Sequence, residues 1–225
     1  MKSDKRSKST CFLCGAPATT RDHIPPIGVF PSPRPNNLIT VPACANCNRT
    51  TSLNDEYFRL VVAAISQDSP QSHVLLKERI LPRARNNPAL IVDLLKSVQR
   101  MELRNQQGLV QGQAPVLSFD AERIQVVIDK IVRGLFFKHT RRRLEGEYHV
   151  NDYLLNPPIG TELQHAIACL PLFKVGDGSV FSYSYHLADP ATSESYWFLM
   201  FYNDTTLFVT STSSPSAQES INTAL

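Results

Sequence analysis

An α+β fold in two parts is what this sequence predicts, and three observations carry it. Two CxxC pairs, Cys11/Cys14 and Cys44/Cys47, bracket a segment with prolines at 17, 25, 26, 31, 33, 35 and 42. Apolar residues then recur at helical spacing through much of 53–144. After Phe173 the period changes to two, as in strands. The expected organisation is a flexible basic tail over 1–10, a cysteine-bounded module over 11–52 and a helical region over 53–144. A small antiparallel β-containing part over 145–225, with a disordered tail, completes the chain.

The elements follow in order. Tyr57, Phe58, Val61, Ala64 and Ile65 predict a helix over 53–66. Ser72 to Arg85 reads as a second helix, and Pro88 to Glu102 as a third with its proline near the first turn. Leu103 to Phe119 holds Gly108, Gly112 and Pro115 among β-prone residues, which suits a hairpin or a loop. Asp120 to Leu144 is the strongest helix signal. Asp120 suits an N-cap, Ile124, Val127, Ile128, Ile131, Leu135 and Phe136 share a face, and Lys138 to Arg143 close it with bases. Phe181, Tyr183, Tyr185 and Leu187 alternate, Tyr196 to Tyr202 is apolar, and Leu207 to Thr210 follows the Asn203-Asp204 turn. These predict three antiparallel strands, with fraying from Ser211 onward.

Of the 225 residues, 42% are hydrophobic and 19% charged, as in folded globular proteins rather than disordered chains. No window approaches 18 uninterrupted apolar residues, so no membrane span is expected. The basic arm Met1 to Thr10 has no apolar stretch behind it, which points to a cytoplasmic protein without a secretory leader. Charge is divided unevenly: about +5 over 1–50, +6 over 51–143 and −8 over 144–225, for a net +3. The first two-thirds suit a polyanion and the last third would repel one.

Two CxxC pairs separated by 29 residues suit one tetrahedral zinc shell of four thiolates, with redox motifs as the alternative. Such a shell leaves no open position, so the zinc would be structural. Gly15 stands where a knuckle turn needs positive φ. Cys169, in the apolar run Ala166 to Leu172, reads as a core thiol. Between the cysteine pairs, Asp22 and His23 are adjacent in Thr20-Arg21-Asp22-His23-Ile24-Pro25. Asn37-Leu38 follows, and Asn48 comes directly after Cys47. A histidine near pKa 6.5 can take a proton from water. A carboxylate with an amide oxygen suits Mg²⁺ or Mn²⁺. On a regular strand Asp22 and His23 would point to opposite faces, so one shared site requires a bend or bulge.

This succession, CxxC, DHIxP, NL and CxxCN before a helix, resembles the HNH endonuclease family and its ββα-metal fold. The resemblance covers about residues 9–55 and departs from the most frequent pattern in having Asn48 where histidine is usual. Zinc-bound members with asparagine there form a known branch. The resemblance implies a metal-dependent endonuclease that hydrolyses phosphodiester bonds, of DNA rather than RNA. It makes His23 the general base, Asp22 and Asn48 ligands of a catalytic Mg²⁺ or Mn²⁺, and Cys11, Cys14, Cys44 and Cys47 the zinc shell. Asn37 matches the family's central asparagine, a catalytic-site position expected to orient the His23 loop.

Nucleic-acid contacts are expected at Arg21, Arg34 and Arg49 beside the site and at Arg141, Arg142 and Arg143. The triple-arginine run equally suits the helix dipole. Two other readings stand beside this one. One is a non-catalytic zinc ribbon that only binds nucleic acid; the other is docking of a protein partner or second copy through the acidic C-terminal part.

Overall fold

The computed structural model describes residues 9–66, 68–82, 98–105, 107–117, 119–144, 149–155, 161–189, 194–203 and 206–213. It has mixed helix and sheet, as predicted. Two short strands, β1 (Thr20–His23) and β2 (Thr40–Ala43), pair antiparallel and are followed directly by helix α1 (Ala45–Thr50). A single 3-10 turn, Ile27–Val29, lies in the long connection between the strands. Helix α2 (Ser52–Ile65) starts one residue from its predicted boundary and buries Tyr57, Phe58, Leu60, Val61 and Val62.

Helix α3 (Pro70–Leu75) starts with proline in its first turn and continues as one π-helical stretch, Leu76–Ile80. It begins two residues earlier than expected, because Pro70 is free to occupy a position whose N–H has no helical partner. Residues 83–97, most of the predicted third helix, lie outside the described residues. The end of that prediction is wrong: 98–102 belong to strand β3 (Val98–Arg104), which pairs with β4 (Val110–Leu117). Of the two alternatives for 103–119, the hairpin is therefore the one formed. Gly108, at φ +81°, turns the chain between its strands.

Helix α4 (Ala121–Thr140) has the predicted N-cap: Asp120 accepts a hydrogen bond from Arg123 N. It ends where Arg141 adopts a left-handed conformation, φ 59°. The terminal sheet has five strands rather than three. Its order is β5 (His149–Leu155), β9 (Thr206–Ser213), β8 (Glu194–Phe201), β7 (Phe181–Asp189) and β6 (Phe173–Val175), all antiparallel. Thr210, Ser211, Thr212 and Ser213 pair with 149–152, so pairing continues past the point where fraying was expected. Helix α5 (Thr161–Ala168) precedes Cys169, which is exposed and not a core thiol.

One hydrophobic core joins the cysteine-bounded segment, the helices α2 and α4 and the terminal sheet, and a smaller cluster of Phe198 and Met200 packs with Ile167 of α5. Phe12, Ile24, Val29 and Phe30 from the cysteine-bounded segment are buried together with α2, α4 and the terminal sheet. The ring of Phe58 on α2 meets Phe201 edge-on at 5.5 Å and Phe208 at 5.9 Å. Tyr202 donates to the carbonyl of Val29 at 2.8 Å, both buried. Gly134 lets α4 approach closely, since a Cβ there would lie 2.5 Å from Ile24 Cγ1. The long helix is thereby packed directly behind the strand end that carries Asp22 and His23. No helix among the described residues is long and apolar enough to cross a membrane.

Candidate metal centre and adjoining cleft

The four predicted cysteines converge. Their sulfurs all lie within 4.8 Å of one another, an arrangement that can hold a metal ion such as zinc. Cys14 Sγ and Cys44 Sγ are 3.7 Å apart. A tetrahedral zinc with bonds of about 2.3 Å gives sulfur–sulfur edges of about 3.8 Å. Both turns have the form a knuckle needs. Gly15 has φ +78° and donates to Cys11 O at 2.9 Å, as its position in the sequence predicts. Cys47 N–H points at Cys44 Sγ at 3.4 Å, and that hydrogen bond pulls the Cys44 thiol down to about 7.

The next turn of α1 leads to Asn48. Its amide nitrogen donates to Thr20 Oγ1 at 3.3 Å and to Arg21 O at 3.4 Å. These bonds fix the amide against β1 and leave its oxygen without a hydrogen bond among the described residues. Asn48, Asp22 and His23 line one cleft of about 330 Å³, together with Gly28, Ser52, Asp55, Glu56 and Arg59. Of the four central residues named from the sequence, Asp22, His23 and Asn48 line this cleft and Asn37 does not. Of the expected bend or bulge, no bulge forms, since the β1–β2 register runs without a shift from Thr20 to His23, and the chain bends directly afterwards at Ile24-Pro25. Instead Asp22 is buried, with Oδ1 accepting from the N–H of His23 at 2.8 Å, while half-buried His23 ends the strand.

Burial lowers the His23 pKa from its ordinary value. Asp22 opposes this, and Arg34, Arg21 and Lys130 act in the same direction as burial. The imidazole is therefore neutral and able to accept a proton at neutral pH.

Asn37 is placed elsewhere. Its Oδ1 accepts from Gly176 N at 2.7 Å and its Nδ2 donates to Lys174 O at 3.4 Å. It clasps the turn after β6 rather than the His23 loop. Asparagine amides serve any backbone within reach, and here the terminal sheet is within reach.

The arginines divide. Arg21 is anchored on Thr40 through Nε at 2.9 Å and a guanidinium nitrogen at 3.0 Å. With Lys138 and Arg141 it lines a second cavity of about 290 Å³ along Leu38 to Pro42. Arg34 lines a cavity of about 420 Å³ between the 30–35 loop, α3 and the β6–β7 turn. Arg49 is exposed at the end of α1. Arg142 is exposed, and the Arg143 guanidinium packs over Gly15, within 3.0 Å of where a Cβ would stand.

The residue that sequence reading missed is Lys130. It is 1% exposed, and its ammonium lies 2.7 Å from both oxygens of Asp55, 3.2 Å from Thr51 Oγ1 and 3.5 Å from Asp22 Oδ2. A signal for it exists: Lys130 is three residues from Val127 and four from Gly134, inside the apolar arc of α4. Burial raises the Asp55 pKa, Lys130 lowers it, and Asp22 raises it further. Two carboxylates thus share one ammonium. Asp22 Oδ2 is a buried oxygen with no hydrogen bond. Compared with protein-family models, with curated proteins and with solved structures, the chain matches none.

Proposed function

We propose that this chain is a metal-dependent endonuclease of the HNH kind, acting on nucleic acid and on DNA in preference to RNA. The observation that carries this reading is Asp22 Oδ2, buried and lacking a hydrogen bond, in a cleft shared with His23 and Asn48. Buried carboxylate oxygens are costly unless paired. Lys130 lies closer to Asp55, at 2.7 Å, than to Asp22 Oδ2, at 3.5 Å, and leaves that Asp22 oxygen without a hydrogen bond, as a ligand position for a cation would require. Asp22 and Asn48 offer the hard oxygens that Mg²⁺ or Mn²⁺ prefers. Such an ion would polarise the phosphate and stabilise the leaving 3′ oxygen.

The protein's own groups then divide the work. His23, neutral and at the end of β1, takes a proton from water as the water oxygen bonds to phosphorus. The P–O3′ bond breaks, and the leaving oxygen acquires a proton from solvent. Asp22 Oδ1 holds the His23 backbone and so sets where the imidazole stands. The four-cysteine turn sets the start of α1 and with it Asn48. Arg21, Lys138 and Arg141 supply phosphate contacts beside the cleft.

The test is nicking of supercoiled plasmid with Mg²⁺ or Mn²⁺ by the native chain and by Asp22→Asn, at equal zinc content. The native chain should cut and the variant should lose at least about 10²-fold. Equal cutting would contradict the assignment. Binding without cutting by both would favour a non-catalytic nucleic-acid module.

A further inference from the structure

Lys130 takes no part in the bond-making and bond-breaking just described, yet it is the most unusual side chain behind the cleft. A lysine ammonium is almost never fully buried unless it is paired. Here four oxygens surround it: both of Asp55 at 2.7 Å, Thr51 Oγ1 at 3.2 Å and Asp22 Oδ2 at 3.5 Å. They come from three elements, β1, the α1–α2 junction and α2, while the cation itself comes from α4. Three ammonium protons match the two Asp55 oxygens and Thr51. Asp22 receives only the charge, and its Oδ2 has no hydrogen bond.

Two carboxylates and a hydroxyl around one buried charge describe an oxygen-lined cation seat; the 2.7–3.5 Å spacing is that of an ammonium, and a divalent ion would draw the oxygens in to roughly 2.1 Å. The fold fills that seat with a tethered monovalent charge. We propose that the Lys130 ammonium is the resident cation of a second cation seat formed by Asp55, Thr51 and Asp22, and that it limits the cleft to a single divalent ion. This rests on the reading of Asp22 as a ligand of a divalent ion for the count of one, but not for the existence of the seat. By taking both oxygens of Asp55, Lys130 keeps that carboxylate from joining Asp22 around a metal. Lys130 is thus a residue that sets metal number, not a catalytic residue.

The test counts Mn²⁺ bound per chain by titration calorimetry and by the free-Mn²⁺ electron paramagnetic resonance signal, on full-length, zinc-loaded protein. Mn²⁺ is a poor competitor for thiolates, so the cysteine site stays out of the count. Lys130→Met retains the apolar stem and removes the charge. It should bind one more Mn²⁺ than the native chain, and its unfolding temperature should rise more on adding Mn²⁺. In Asp55→Asn combined with Lys130→Met, the extra ion should be lost. Lys130→Gln, which removes the charge and cannot occupy both Asp55 oxygens as the ammonium does, covers the case in which the methionine variant does not fold and should also show the gain. Equal Mn²⁺ counts in the native chain and the folded Lys130 variant would overturn the proposal. The native count is a separate readout: zero there would contradict Asp22 as a metal ligand, while the increment still reports on the seat.

Discussion

Asn37 Oδ1 accepts a hydrogen bond of 2.7 Å from the backbone N–H of Gly176, 139 residues away. The pair joins the cysteine-bounded segment to the turn after β6, where Gly176 has φ +67°. Asn37→Ala should therefore lower the free energy of unfolding by about 1 kcal/mol, the usual worth of one exposed hydrogen bond. Urea denaturation measures this. Cleavage by the folded variant should be unchanged within about threefold, since Asn37 does not touch the cleft. A drop of 100-fold without loss of stability would return Asn37 to the catalytic group.

The cysteine cluster is expected to carry one zinc per chain, measurable by elemental analysis. Cys44→Ala or Cys14→Ala should lose it. Because the sulfur frame positions α1, metal loss should lower thermal stability and detach Asn48 from Thr20 and Arg21. A chelated protein with an unchanged unfolding temperature would contradict a structural role.

His139 predicts a pH dependence of stability. Its ring lies between Tyr183 and Tyr185, with Nε2 2.9 Å from one hydroxyl and Nδ1 3.1 Å from the other. Burial, with help from Lys138, pushes its pKa down to about 4. The unfolded chain binds this proton near pH 6.5, so it binds more protons than the fold between those values. Stability from the neutral ring is complete above about pH 6.5 and falls as pH drops toward about 4. Comparing unfolding free energies of the native chain and His139→Gln over that range isolates the effect. Parallel curves would contradict it.

Arg141 and Lys138 border the cavity along β2 with Arg21. Arg141→Ala should weaken duplex binding without changing sequence preference, and lower the slope of log affinity against log salt by about 1. An unchanged slope would assign Arg141 to capping α4 alone.

Much of this was legible in the sequence because it depends on local spacing. The cysteine pairs, the Asp120 cap and the apolar stripes of α2 and α4 are properties of residues three or four apart. Asp22, His23 and Asn48 were legible as a set only through the family resemblance, since their spacing alone does not bring them to one face. The errors share a physical origin in distant pairing. Residues 98–102 carry a mixed polar pattern that suits a helix, and become a strand by pairing with 113–117. Strand β5 is legible only through β9, 52 to 64 residues on. Lys130 was missed because a lysine reads as surface until Asp55 and Asp22 are placed beside it. Asn37 was misassigned because the backbone it holds comes from the far end of the chain.

The most direct measurement is nicking of supercoiled plasmid with Mg²⁺ or Mn²⁺ by the native chain and by His23→Ala. His23 is not among the four sulfur ligands, so the variant should retain its zinc and fold. The native chain should cut, and the variant should be slower by about 10²-fold or more. Equal rates for the two proteins would contradict His23 as the base and the cleft as the site of cleavage.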